Sequence, residues 1–174
     1  AVTCTMWDTL AWGGETQALV WNPRTKKVIA VNALGVAPSG ATAEFYRSKG
    51  MRYPPEYGPL SAITPGTPGG LMVMLAEWGT LSLGEVLAPS IEMAGEGYPI
   101  EEGLVRAIDR ERSWIEQWPF SKAVMLPRGG KAPEVGSLFF QKDLAATLRR
   151  LVEAEKAALA AGKDRKAAIL AAND

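Results

Sequence analysis

The sequence predicts an α+β chain, rich in helix with a single β-hairpin, and three observations carry that expectation. Two apolar runs at 17–21 and 27–32 flank the turn-forming string Asn22-Pro23-Arg24-Thr25-Lys26. The stretch 64–100, TPGTPGGLMVMLAEWGTLSLGEVLAPSIEMAGEGYPI, repeats apolar residues at helical spacing on both sides of a Gly79-Thr80 break. Residues 154–172 are Ala/Lys/Glu-rich, a composition of strong helix formers.

The bulk numbers narrow the classes. At 174 residues, 1–174 fits a single domain with a sizeable core. Nineteen basic and nineteen acidic residues cancel, so no electrostatic case exists for nucleic acid. No apolar run reaches the roughly 18 residues that a membrane span needs. Cys4 is the single cysteine, which excludes an internal disulfide framework and a cysteine-based metal site. Histidine is absent, which removes Ser-His-Asp and Cys-His catalysis and histidine metal ligation from this chain. The chain starts at Ala1 without Met and stops at Asp174 just after the Ala-rich segment, and it is expected to be a piece of a larger polypeptide.

Along the chain, residues 1–10 are apolar with interspersed threonines and fit a buried helix end or a loop. Gly13-Gly14 belongs to a turn before the first strand; without a following Lys-Ser/Thr it is no phosphate loop. Residues 39–48 fit a short helix with Phe45 inward. Pro54-Pro55 exclude helix and central strand from 49–59, where Arg52, Tyr53, Glu56 and Tyr57 either line a pocket or pack on a neighbouring domain or subunit. Residues 60–64 are expected as a short strand.

In the central stretch, Gly and Pro at 65–70 make a turn-rich approach. Thr67 is placed to cap the next helix, with Pro68 at its first position. Leu71, Met74, Leu75 and Trp78 share one face of it, and Gly79 is expected as a left-handed stop. Ser82 and Glu85 have capping-box spacing for a second helix. That helix carries Val86, Leu87, Ile91 and Ala94, accommodates Pro89 near its first turns and ends at Gly97. An amphipathic helix follows over 101–118, with its charges paired on a solvated face, and Trp118-Pro119-Phe120 ends it. Residues 126–136 form a Pro/Gly-rich loop. Gly162 is expected to break the terminal helical segment. Glu92 and Glu96 lie one turn apart but lack further ligands, so no metal or other cofactor is implied.

The string PGTPGG…GTLSLGEVLAPSIEMAGEGYPI also resembles the large-subunit region of γ-glutamyltranspeptidases, in which a PGT-type turn precedes a helix and then a G-T-L-P/S-L-x-x-V-L-x-P-A/S-I-x-x-A-x-x-G-[FY] run. The resemblance runs over residues 12–151. It takes in the hairpin, and the segment 137–148 is similar to a place where a short strand enters a helix. It implies the helix-rich portion of an αββα N-terminal-nucleophile hydrolase sandwich, incomplete without a partner chain. In that family the nucleophile is the N-terminal threonine of a small subunit cut from the same precursor, with its own amine as base, a solution that needs no histidine. The T-T-H-type motif bearing it is absent here, and Thr3, Thr5, Thr9, Thr16 and Thr80 lack a cleavage context. No catalytic residue is therefore expected in this chain.

One departure from the family pattern is informative. Where transferring members read N-A/F-R-E-x-A-P, this chain reads Asn32-Ala33-Leu34-Gly35-Val36-Ala37-Pro38. The resemblance implies that the arginine grips the substrate α-carboxylate, and its position falls on Leu34, with the glutamate's on Gly35. An isobutyl group cannot replace a bidentate guanidinium fork, and losing such a contact costs about 2–5 kcal/mol. Leu34 and Gly35 are thus candidate pocket-wall positions with altered acyl specificity; in a second reading Leu34 is core and Arg47 or Arg52 serves instead. The expected activity is hydrolysis or transfer at an amide or γ-glutamyl-type bond, within a heterodimer or a dimer of heterodimers. A non-catalytic family member acting as a binding protein is the alternative, and a standalone helical module is a third.

Overall fold

A computed structural model describes residues 5–7 and 10–173. Ala1, Thr3, Cys4 and Thr9 lie outside the described residues. Helices dominate, with two small antiparallel sheets, as the α+β expectation requires. The chain divides into two compact units, Trp12–Met74 on the one hand and Ala1–Ala11 with Leu75–Asp174 on the other.

In the unit Trp12–Met74, strand β1 (Thr16–Asn22) pairs with β2 (Lys27–Ala33) in the register Thr16 to Ala33 and Asn22 to Lys27. The expected turn holds because the Asn22 carboxamide oxygen accepts from the N–H groups of Arg24 and Thr25 at 3.0 and 3.3 Å, an Asx turn that closes the hairpin locally. Helix α1 (Ala43–Ser48) is capped by Thr42, whose hydroxyl accepts from the Phe45 N–H at 3.1 Å. The expected strand at 60–64 is instead a 3₁₀ turn, Pro59–Ser61, followed by chain that belongs to neither sheet. Pro59 presets that turn, and its carbonyl accepts from the Ala62 N–H.

Helix α2 (Thr67–Trp78) corrects three expectations. Thr67 is its first residue rather than its cap, since Gly70 donates to the Gly66 carbonyl and makes Gly66 the capping position. The buried face carries Met72 and Ala76, while Leu71 is exposed and Met74, Leu75 and Trp78 are half-buried. Six apolar residues in a row, 71–76, give a helix apolar on every side, so periodicity could not choose the face. Gly79 is not left-handed; it is glycine because a Cβ there would stand 2.6 Å from the Leu75 carbonyl.

The larger unit is built on α3 (Leu83–Glu96), α7 (Lys142–Ala160) and α8 (Arg165–Ala171). Small residues let α3 and α7 approach closely: Ala94 and Ala145 are fully buried against each other, flanked by Met93 and Leu144. Pro89 is the seventh residue of α3, at the end of its second turn. Gly97, at φ 85°, stops α3 as expected, and Gly162 separates α7 from α8. Beside this pair lies an apolar cluster of Tyr98, Ile100, Leu104, Ile108, Ile115, Leu126 and Phe139, with Trp7 stacked on Phe139 at 5.8 Å. It gathers β3 (Tyr98–Pro99), which pairs with β4 (Leu138–Phe139), and α4 (Glu102–Arg110).

The single helix expected over 101–118 is α4 and a short α5 (Arg112–Ile115), joined at Glu111. Trp118-Pro119 ends that run but also starts α6 (Pro119–Met125). Trp118 is extended, as a residue before proline prefers, and Pro119 occupies a first helical position where its missing N–H is harmless. The solvated charges pair as expected, Arg106 with Glu102 and Arg112 with Asp109, both at 2.7 Å.

Candidate functional site

The residues singled out at 32–38 lie where β2 runs out of its ladder. Asn32 turns the chain, its carboxamide oxygen accepting from the Leu34 N–H at 3.1 Å. Ala33, the last ladder residue, is buried. Leu34 is 41 % exposed in this chain. Gly35 then passes so close to the chain opposite that a Cβ on it would stand 1.6 Å from the Thr64 carbonyl oxygen. Val36 returns a backbone bond, its carbonyl accepting from the Thr64 N–H at 3.1 Å. Residues 33–36 thus form a strap with backbone anchors on both sides of Leu34, and Val36 within it is exposed as well.

The start of α2 forms the bed under that strap. A Cβ on Gly66 would meet the Ala33 carbonyl oxygen at 2.2 Å, and one on Gly70 would meet the Ala33 methyl at 2.2 Å. The Gly14 carbonyl accepts from both the Gly66 and Thr67 N–H groups at 3.0 Å. The hydroxyls of Thr16 and buried Thr67 bond each other at 2.9 Å and tie β1 to the same helix start. The turn expected at Gly13-Gly14 therefore also supplies the acceptor that α2 needs. This arrangement was missed from sequence, although Gly66 and Gly70 at i,i+4 spacing on one helix face are a usable signal.

Gln17, Ala18, Leu19, Ala30, Val31 and Asn32 line a shallow groove of about 520 Å³ on the hairpin. Leu19, Trp21 and Val28 are exposed on the hairpin, Leu19 at 77 %. Of the alternative arginines, Arg47 sits in the last turn of α1, and the Arg52 guanidinium lies over the Tyr53 ring at 5.2 Å. Tyr53 and Tyr57 are exposed. Among the described residues, no group of three His, Cys, Asp or Glu side chains could hold a metal ion.

A second set of polar contacts, also missed from sequence, holds the α2–α3 link. The buried Glu155 carboxylate of α7 accepts from the Leu83 and Gly84 N–H groups at 2.8 and 3.1 Å. Arg165 of α8 donates to the carbonyls of Leu75 and Leu81 at 2.8 and 2.9 Å. Lys166 pairs with Glu77 at 2.5 Å. Nothing local marks one Glu or one Arg in an Ala/Lys/Glu-rich segment. The expected capping box is present: Glu85 accepts from the Ser82 N–H at 2.8 Å, and Ser82 from the Glu85 N–H at 3.1 Å. The Ser82 backbone N–H and then its hydroxyl hold the Glu85 carboxyl below its ordinary range.

The family model described as gamma-glutamyltranspeptidase matches residues 3–164. The chain is 33 % identical over 151 residues to the glutathione hydrolase-like YwrD proenzyme of Bacillus subtilis (strain 168), covering 86 % of this chain and 28 % of that protein. It is 31 % identical over 144 residues to the acylase ACY 1 proenzyme of Pseudomonas sp. (strain SE83), covering 78 % and 26 %. Among solved structures, the γ-glutamyltranspeptidase of Helicobacter pylori superposes with a TM-score of 0.82 at 28 % identity, over 91 % of this chain and 46 % of that one. The chain spans about a quarter of the length of the curated relatives it matches.

Proposed function

This chain belongs to the γ-glutamyltranspeptidase family, and on that premise we propose that it is part of the large subunit of an amidohydrolase or acyltransferase with altered acyl specificity. A separate small subunit from the same precursor supplies the N-terminal threonine. Its hydroxyl attacks the amide carbon, the amine leaves, and water or a second amine takes the acyl group from the enzyme. This chain contributes no catalytic residue. It contributes a wall of the acyl pocket at Leu34 and Gly35.

The observation that carries the reading is the exposed, uncharged side chain of Leu34 at the place where transferring members resemble N-A/F-R-E-x-A-P. Without a guanidinium there, a free α-carboxylate loses its partner, and a simple acyl group loses nothing. The acylase name of one relative is in keeping with that preference. The hairpin supports a partner subunit: Leu19, Trp21 and Val28 are exposed on one of its faces, and two strands alone are marginal in water.

The test uses the whole precursor. Intact mass and N-terminal sequencing of the purified protein should find a second chain beginning with Thr. Simple acyl anilides should then be cleaved in preference to γ-glutamyl anilides. Leu34→Arg should raise kcat/KM for the γ-glutamyl anilide by at least about thirtyfold, the low end of a recovered bidentate carboxylate contact. An unprocessed chain without turnover would instead favour the binding-protein reading.

A further inference from the structure

We infer that Gly66, Gly70 and Ala33 form a seat that determines where residue 34 projects, making the two glycines positioning residues for acyl-group selection. The inference rests on the reading of Leu34 as pocket wall. It goes beyond that reading by naming residues that touch no substrate.

The argument is one of clearance. Strap residues 33–36 have little freedom to choose another path. Asn32 bonds the Leu34 N–H, Thr64 bonds the Val36 carbonyl, and Gly35 has no room for a Cβ beside the Thr64 carbonyl. What remains adjustable is the height of Ala33 above α2. That height is set by the absence of side chains at two positions one helical turn apart, Gly66 under the Ala33 carbonyl and Gly70 under the Ala33 methyl. The bed itself is held in place by the Gly14 carbonyl and by the Thr16–Thr67 hydroxyl pair. A methyl added at position 70 would have to occupy space 2.2 Å from the Ala33 methyl. Either the strap lifts or the helix start shifts, because close-packed interiors do not absorb a methyl without displacement. Leu34 follows Ala33 directly, so a lift at 33 re-aims the side chain at 34. Specificity in this site is therefore set by a pair, the side chain at 34 and the seat that aims it.

The seat makes a reciprocal prediction. Moving the methyl across the contact, with Gly70→Ala and Ala33→Gly together, keeps the local volume and should bring the strap back down. The experiment uses the full processed protein and three forms: wild type, Gly70→Ala, and the double variant. Two readouts are taken on each, amide hydrogen exchange over residues 33–36 and KM and kcat for a simple acyl anilide and a γ-glutamyl anilide. Gly70→Ala should speed exchange in the strap and change the ratio of the two KM values by about fivefold, the size of coupling that contacting residues show. Its kcat on the acyl anilide should change less than its KM. The double variant should return both readouts towards wild type, and it carries the test if Gly70→Ala alone does not fold.

Unchanged exchange in Gly70→Ala would overturn the seat outright. A double variant that restores neither readout would do the same. Faster exchange with an unmoved KM ratio would leave the seat standing as packing, and would show that position 34 does not select the acyl group. Should the wild type cleave neither anilide, the functional reading fails while the exchange measurement still decides the seat.

Discussion

Helices α2 and α3 both start within the stretch 64–100, and their first N–H groups are satisfied in contrasting ways. At α3 all four of the opening donors go to carboxylate or hydroxyl oxygens: Ser82 to Glu85, Leu83 and Gly84 to Glu155, and Glu85 to the Ser82 hydroxyl. At α2 the Gly66 and Thr67 N–H groups go to a backbone carbonyl, that of Gly14, and Pro68 has none to offer. The α3 start is held by charge on a helix dipole and the α2 start by close packing of backbones. The difference teaches where each tolerates change. A carboxylate cap fails when its charge or shape is altered, whereas a packed backbone fails when volume is added.

The most severe way to break the contrast is Glu155→Ala, which leaves two N–H groups without acceptors at a buried site. We expect about 3 kcal/mol of destabilisation, read by urea unfolding of the intact protein. Glu155→Gln should lose less, since one oxygen still accepts. Gly66→Ala tests the other start through volume alone: its methyl would meet the Ala33 carbonyl oxygen at 2.2 Å. Overpacking of this kind costs about 2 kcal/mol. A loss below about 0.5 kcal/mol would mean that the strap yields freely, and the contrast would collapse. Ser82→Ala removes the local half of the α3 cap and should cost about 1 kcal/mol. Thr67→Val, which deletes one hydroxyl of the Thr16–Thr67 pair, should cost a similar or smaller amount.

The smallest effect is a pH dependence confined to α3. The Glu85 carboxyl is held below its ordinary range by the Ser82 N–H and hydroxyl. A depressed folded-state pKa contributes stability that is present above the unfolded value and is lost as pH falls through the folded one. The stability difference between wild type and Glu85→Gln should therefore be present at neutral pH and shrink on acidification below the ordinary carboxylate range. No such change is expected from Thr67→Val.

Much of this was legible in the sequence because it is local. The hairpin followed from the two apolar runs around the 22–26 turn string, the α3 start from Ser82 and Glu85, and the helix stop from Gly97. The family pattern around Thr80–Ile100 pointed to the fold. Legibility failed where a residue had two uses. Pro119 ends one helix and begins another, and Thr67 could cap or be packed. It failed again where the pattern was saturated, as in the all-apolar 71–76 segment, whose buried side only neighbouring elements could select.

Composition and spacing by themselves determined the α+β character, the hairpin, the capping box and the chemistry this chain lacks, since a chain without histidine cannot host a histidine base wherever it folds. They also brought Leu34 and Gly35 to notice through a resemblance. Tertiary structure alone decided that Glu155 caps a helix 72 residues away in sequence and that Gly66 and Gly70 lie beneath Ala33. Those contacts join residues whose local sequence is ordinary. Their meaning arises only when folding removes water from the donors, or space from the methyl, that they face.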